Sequence, residues 1–519
     1  MKYLFITAAL LLALLGSCGR NEPAEPAYAY DLTFEYALAN ALNRRESITK
    51  PDYNAFALLA DERARLGDEW VELWCEEYLT ELVMQSLTPI ARAESISYEE
   101  AIADAYTLLM LLRMNYGAYT YYGGDDVFVP LFDRIFEALA QADEWNTGDD
   151  FGDFAELLQE HLLEVIVDNH VHIGFRPLGA LDSFTITADG IDKMPLGITA
   201  DFFVGSIRFE RSVNGFRSQE TGLYVASVAD HSIDEVFRLS VDDNGEFSYI
   251  PIVMIPGRSG LQSYPLTLTF YNGEQETLIL SQHEPHQRGL SSPSLTWANG
   301  IPIVRITSMG FYPNQEYAQR FLGFAEELRD EPVVIVDIRS NRGGNNLLSA
   351  QFLHRLTGEV VPSNSVILHL GNHHETMETF AAVPSDSPIY RPLSDLIAYH
   401  PSTPLGESHF VFNYTPDRLV QNDQLVIFLI DRYTMSAGEG FVDFSLNLQN
   451  SLIIGQNTGG VLQKTGGPGF FLPNSGIMVG FGPGLFLYPD NLFAEGVGFA
   501  PDVWVMGDAL TAALAILQY

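Results

Sequence analysis

Cysteine is almost absent from this 519-residue chain; Cys18 and Cys75 are the only two. No CxxC or HExxH pattern occurs, so the sequence offers no zinc framework. Basic residues are scarce as well: 28 Lys and Arg stand against 67 Asp and Glu, a formal net charge of −39. Nucleic-acid phosphates demand dense Lys and Arg, and no basic stripe is present, so that partner class is excluded. The apolar stretch at the N-terminus, from Tyr3 through Leu15, is too short to span a bilayer. No repeat recurs at a fixed period. What is abundant is core-forming material. Hydrophobic residues make up 47% and aromatics 12%, enough to bury substantial cores and to exclude wholesale disorder.

The N-terminus has the layout of an export signal: Lys2, then the apolar stretch, then Leu15-Gly16-Ser17-Cys18. That tetrad resembles a bacterial lipobox. The resemblance implies a signal peptide over 1–17, lipidation of Cys18, and anchoring to a bacterial membrane facing the periplasm or the exterior. An ordinary secretory signal with an incidental cysteine is the alternative. Residues 18–30 read as a short tether. With Cys18 lipidated only Cys75 remains, which precludes an internal disulfide and suits a small buried hydrophobe on a helix.

The periodicity changes twice along the chain. Residues 31–145 are helical, with apolar positions at three- and four-residue spacing in Ala101–Arg113 and Phe132–Ala140. A polar break, Asn146–Gly152, precedes another helix ending near Ile166, within a segment 146–180. Residues 181–295 carry short β-branched runs and turn signals, including the Asn272-Gly273 hairpin signal, and predict a small β-rich module. Residues 296–519 alternate strands (Ile303–Ile306, Val333–Ile338, Gln424–Ile430, Leu452–Ile454) with helical stretches, the grammar of an α/β core.

Four places could hold chemistry. The apolar run Gln424–Ile430 leads through a turn to Ser436-Ala437-Gly438-Glu439. A strand end followed by a helix start presents a serine rigidly beside unpaired N–H groups, as a hydrolytic nucleophile requires. The same four residues also spell a capping box. Asp168-Asn169-His170-Val171-His172 opens a strand-like run, on which His170 and His172 would share a face. His170 is a candidate base, and a metal pair is its rival, without a third ligand in sight. Asp337–Gly344 ends a strand in an Asn/Gly-rich loop that lets backbone N–H groups approach a ligand. Glu495, in a Gly-rich apolar neighbourhood, could hold an imidazole's far N–H.

Taken in order, Asp337-Ile-Arg-Ser-Asn-Arg-Gly-Gly344, Ser436-Ala-Gly-Glu439, Gly455-Gln-Asn-Thr-Gly-Gly460 and Glu495-Gly-Val-Gly-Phe-Ala-Pro-Asp502 resemble the C-terminal processing peptidases and the tricorn core protease. Asp168-Asn-His170 is similar to the family's short Asp-x-His segment. The resemblance implies a crotonase-like α/β peptidase core, with a helical region before it and a β-rich, PDZ-like insert within it. A PDZ-type glycine-rich carboxylate-binding loop is not found in 181–295. The resemblance also implies a serine peptidase acting on protein or peptide substrates, without metal or organic cofactor.

The family has two catalytic solutions. The lysine that serves as base in the processing branch is replaced here by Val461, and Lys464 lies three positions further on. His170 and Glu495 match the tricorn-like branch. The resemblance thus implies a Ser436–His170–Glu495 triad, with the oxyanion held by the N–H of Ala437 and one from Gly343 or Gly344. A Ser436–Lys464 dyad is the rival. Asn169, Val171 and Ser340 depart from the family's commonest residues. A catalytically degenerate lipoprotein of the same fold, binding peptides or hydrophobic ligands, is the alternative function.

Overall fold

The computed structural model describes residues 32–49, 89–148, 152–174, 200–255, 260–283, 291–310, 315–370, 419–464, 469–489 and 492–518, with a few short stretches between them. Cys18, Cys75 and the predicted signal and tether lie outside the described residues. Among the described residues no helix is long and apolar enough to cross a membrane.

The architecture is α/β around one mixed sheet of fourteen strands. Its centre is parallel: Ile301–Arg305, Val333–Asp337, Leu425–Ile430 and Ser451–Gly455 lie side by side, with Val503–Trp504 next. All six residues of Leu425–Ile430 are buried, as expected for a parallel strand covered on both faces. Strand alternation divides these side chains between two cores. Val334, Val336, Val426, Phe428 and Ile453 pack with the helices Gln315–Glu327, Asn346–Thr357 and Ala437–Ser445. Ile335, Ile427, Leu429, Leu452 and Ile454 face the C-terminal helix Ala509–Ile516, the N-terminal helix Phe34–Glu46 and the β-rich module.

The β-rich module joins the core sheet edge to edge. Its strand Phe237–Val241 pairs with Phe247–Ile255 on one side and meets Trp504 through Ser240 on the other. The Asn272-Gly273 signal produces the antiparallel hairpin Ser263–Phe270 with Gln275–Gln282, where Gly273 adopts φ +86°. The N-terminal helices Tyr98–Asn115, Gly124–Leu139 and Asp153–Leu162 share a third core with Phe470, Leu472, Ile477, Val479, Phe481 and Leu485. They are therefore built into the late part of the chain. Arg44 and Arg45 of the first helix likewise pair with Asp502.

Candidate active site

Ser436 stands between the Leu425–Ile430 strand and the Ala437–Ser445 helix. The connecting turn is bound internally: Thr434 N–H donates to the Asp431 carbonyl, and its hydroxyl donates to the Ile338 carbonyl. The result is a backbone that Ser436 does not adopt by preference, φ +49° and ψ −121°. Such a conformation costs a non-glycine residue about 1–3 kcal/mol and persists only where the surroundings impose it. A helix cap needs ordinary extended backbone. The strained turn instead leaves the hydroxyl within 3.4 Å of His170 Nε2, as a nucleophile elbow would.

The Ser436 hydroxyl makes no side-chain cap hydrogen bond. Ser436 N–H donates to Glu439 Oε2 at 3.0 Å, and Glu439 N–H goes to the Ser436 carbonyl. Glu439 has a larger role than the sequence pattern suggests. Its two oxygens also accept from Thr458 Oγ1, Gly460 N–H and Val461 N–H at 2.6–2.7 Å. It thereby staples the Gly455–Gly460 loop to the nucleophile turn. Burial pushes its carboxyl up to about 7, against the pull of these donors.

The Asp337–Gly344 loop wraps the same turn. Met435 N–H donates to the Asn341 carbonyl at 2.8 Å, and a Cβ on Gly343 would lie 2.6 Å from Ser436 Cβ. Gly343 and Gly344 have φ +98° and +134°, so glycine is required by both space and conformation. Of the three predicted oxyanion donors, Gly343 N–H is already given to Asn341 Oδ1 at 3.0 Å. The N–H groups of Ala437 and Gly344 have no acceptor among the described residues. Ser340, where the resembled family favours glycine, does adopt a positive φ of 62°. Asp431 accepts both its N–H and its hydroxyl, which compensates the strain.

His170 approaches Ser436 from the far end of the chain: Nε2 lies 3.4 Å from Ser436 Oγ. The residue is on a turn, not on the strand expected from sequence; the paired strand is His172–Ile173. Asp168 makes that turn by accepting His170 N–H at 2.8 Å. The other Asp168 oxygen accepts from the Tyr116 hydroxyl at 2.7 Å, and Asp168 Oδ1 stands 3.8 Å from His170 Nδ1. Burial lowers the His170 pKa; Asp168 opposes that effect and Lys464 reinforces it. His172 is pushed down to about 4 by burial and by His170. Among the described residues no group of three His, Cys, Asp or Glu side chains could hold a metal ion.

Lys464 and Glu495 meet behind this histidine. Lys464 Nζ donates to the Val167 carbonyl and to Gln463 Oε1, lies 4.0 Å from Glu495 Oε2, and sits over the Tyr122 and Tyr121 rings. Burial alone would lower its pKa, but the carboxylates of Glu495 and Asp168 outweigh this and raise it. That ammonium has no described contact with Ser436. Glu495 Oε2 accepts Gln463 N–H at 3.0 Å, while Glu495 Oε1 and His170 Nδ1 are both buried without a hydrogen-bond partner among the described residues. No direct Glu495–His170 contact is among those described.

Sequence reasoning missed Tyr116, Tyr122 and the stapling role of Glu439. Tyr122 donates to the Val167 carbonyl at 2.5 Å, beside the Lys464 bond. Both tyrosines belong to the N-terminal helical region, for which no local pattern signals a role, because their partners are distant in sequence.

A family model, described as Peptidase family S41, matches residues 300–505. No curated protein matches the chain. Among solved structures, mature CPAF complexed with lactacystin aligns at 11% identity over 81% of this chain and 99% of that chain, with a TM-score of 0.41. The photosystem II D1 C-terminal processing protease aligns at 12% over 80% and 94%, TM-score 0.34. The tricorn protease aligns at 14% over 80% and 37%, TM-score 0.32. The segment that matches this family of serine peptidases holds Ser436, the Asp337–Gly344 loop and Glu495.

Proposed function

We propose that the chain is a serine peptidase that hydrolyses peptide bonds of exported proteins or peptides through an acyl-enzyme, with Ser436, His170 and Glu495 as its triad. The observation that carries this reading is the 3.4 Å approach of His170 Nε2 to a serine hydroxyl held out of its helix by strained backbone. His170 takes the Ser436 proton as Oγ attacks the scissile carbonyl, then returns it to the leaving amine; water releases the acyl group by the reverse sequence. The oxyanion is received by Ala437 N–H at the helix start and by Gly344 N–H, since Gly343 is engaged elsewhere. Asp168 favours the positive charge on the imidazole and Lys464 opposes it, while burial pushes the Glu495 carboxyl up to about 8. The export signal and the Cys18 lipid anchor belong to the same proposal, on the lipobox-like sequence alone.

The test is fluorophosphonate labelling of the purified protein across pH. A base must be neutral, and burial lowers the His170 pKa, so labelling should persist below the ordinary histidine value near 6.5 and vanish only at lower pH. A midpoint above 6.5, or no labelling of the folded protein, would remove His170 or the whole reading. Glu495→Gln and Asp168→Asn then separate the two carboxylates. Glu495→Gln should lower kcat by about 10²–10⁴-fold with KM little changed, whereas Asp168→Asn should cost less. A larger loss in Asp168→Asn would make Asp168, at 3.8 Å, the orienting acid instead.

A further inference from the structure

Arginines in this chain are mostly accounted for. Arg113, Arg134, Arg208, Arg339 and Arg355 each meet a carboxylate, as expected where acids outnumber bases 67 to 28. Arg342 does not. It makes no hydrogen bond or ion pair among the described residues, although it is half-buried and its guanidinium is partly desolvated. Among the described residues Tyr433 is the only group acting on it electrostatically, and no carboxylate does so. Desolvating a cation without a partner is costly, so such a group is kept where a partner arrives with a ligand.

Its position defines that ligand. Arg342 lies between Asn341, whose carbonyl accepts Met435 N–H, and Gly343, whose α-carbon packs against Ser436 Cβ. Tyr433 is on the turn that delivers Ser436. The Arg342 backbone is therefore held beside the nucleophile turn, and Tyr433 of that turn acts on its guanidinium. Resting on the peptidase reading above, we propose that Arg342 is a specificity determinant that receives a carboxylate of the peptide substrate beside the bond being cut. The carboxylate is an Asp or Glu side chain or the substrate's terminal carboxylate; both offer two oxygens that match the planar guanidinium fork. The preference is thus opposite to the one an acidic surface would suggest.

The experiment is a mass-spectrometric cleavage map of a proteome-derived peptide library for wild type, Arg342→Gln and Arg342→Lys, with fluorophosphonate labelling and thermal melts alongside. Wild type should cut preferentially within two residues of an acidic side chain or a free C-terminus. Synthetic pairs built on the best-cut peptide, Glu against Gln and acid against amide, assign the source. Arg342→Gln should lower the charged-to-neutral rate ratio by about tenfold or more, and Arg342→Lys should restore part of it. A wild type that labels yet shows no acid preference, or a ratio unchanged in Arg342→Gln, overturns the assignment alone. A folded wild type that neither labels nor cleaves overturns the peptidase reading and this assignment with it.

Discussion

Ser436→Ala and His170→Ala should each abolish fluorophosphonate labelling and reduce peptide turnover by about 10⁴–10⁶-fold, with neither much worse than the other and the double variant no worse than either. The reason is that in the proposed mechanism the two side chains act as one unit: a single proton transfer runs through the 3.4 Å contact, and losing either partner removes all of it. Stability separates catalysis from capping. Were the hydroxyl a helix cap, its removal would cost about 0.5–2 kcal/mol. Because Ser436 Oγ is not part of the cap, Ser436→Ala should unfold within about 0.5 kcal/mol of wild type in urea. Equal activity in Ser436→Ala would end the nucleophile assignment, and a loss of stability as large as a cap's would revive the structural role.

Lys464→Ala should have the largest effect on stability, about 3–5 kcal/mol by denaturant titration, because it removes the ammonium from beside the buried Glu495 carboxyl, which burial pushes up to about 8, and with it the bond to the Val167 carbonyl. The Lys464 and Glu495 side chains are 1% and 5% exposed, so solvent cannot replace the missing partner. The ammonium also ties Val167, two residues ahead of Asp168 and its turn, to two tyrosines of the helical region. Its loss should loosen His170, yet activity measured where the variant is folded should stay well above that of Ser436→Ala. The Lys464→Ala, Glu495→Gln double variant should recover part of the stability, since the unpaired charge is gone. Activity of Lys464→Ala at the Ser436→Ala level, in a folded protein, would instead make Lys464 the base. Unchanged stability would show that the pair is not held as described.

The local features were legible because their causes are local. Strand runs such as Leu425–Ile430, the hairpin at Asn272-Gly273 and the serine at a strand-to-helix turn follow from residue type and spacing alone. The order of short motifs was enough to place Ser436 in the α/β core and to nominate His170, although 266 residues separate them. What the sequence could not express is contact between distant positions. Tyr116 reaches Asp168 across 52 residues, and Lys464 reaches the Val167 carbonyl across 297. Neither pair has a periodicity or spacing that announces it. The same holds for the proposed oxyanion donors: beside Ala437, Gly343 and Gly344 are alternatives in a string of letters, and the Asn341 side chain, which takes the Gly343 N–H, distinguishes them. Composition and local pattern therefore determined the fold class and the candidate nucleophile and base. Tertiary packing decided which residues surround them and set Lys464 beside Glu495, because electrostatics and hydrogen bonding act through distance in space and not along the chain.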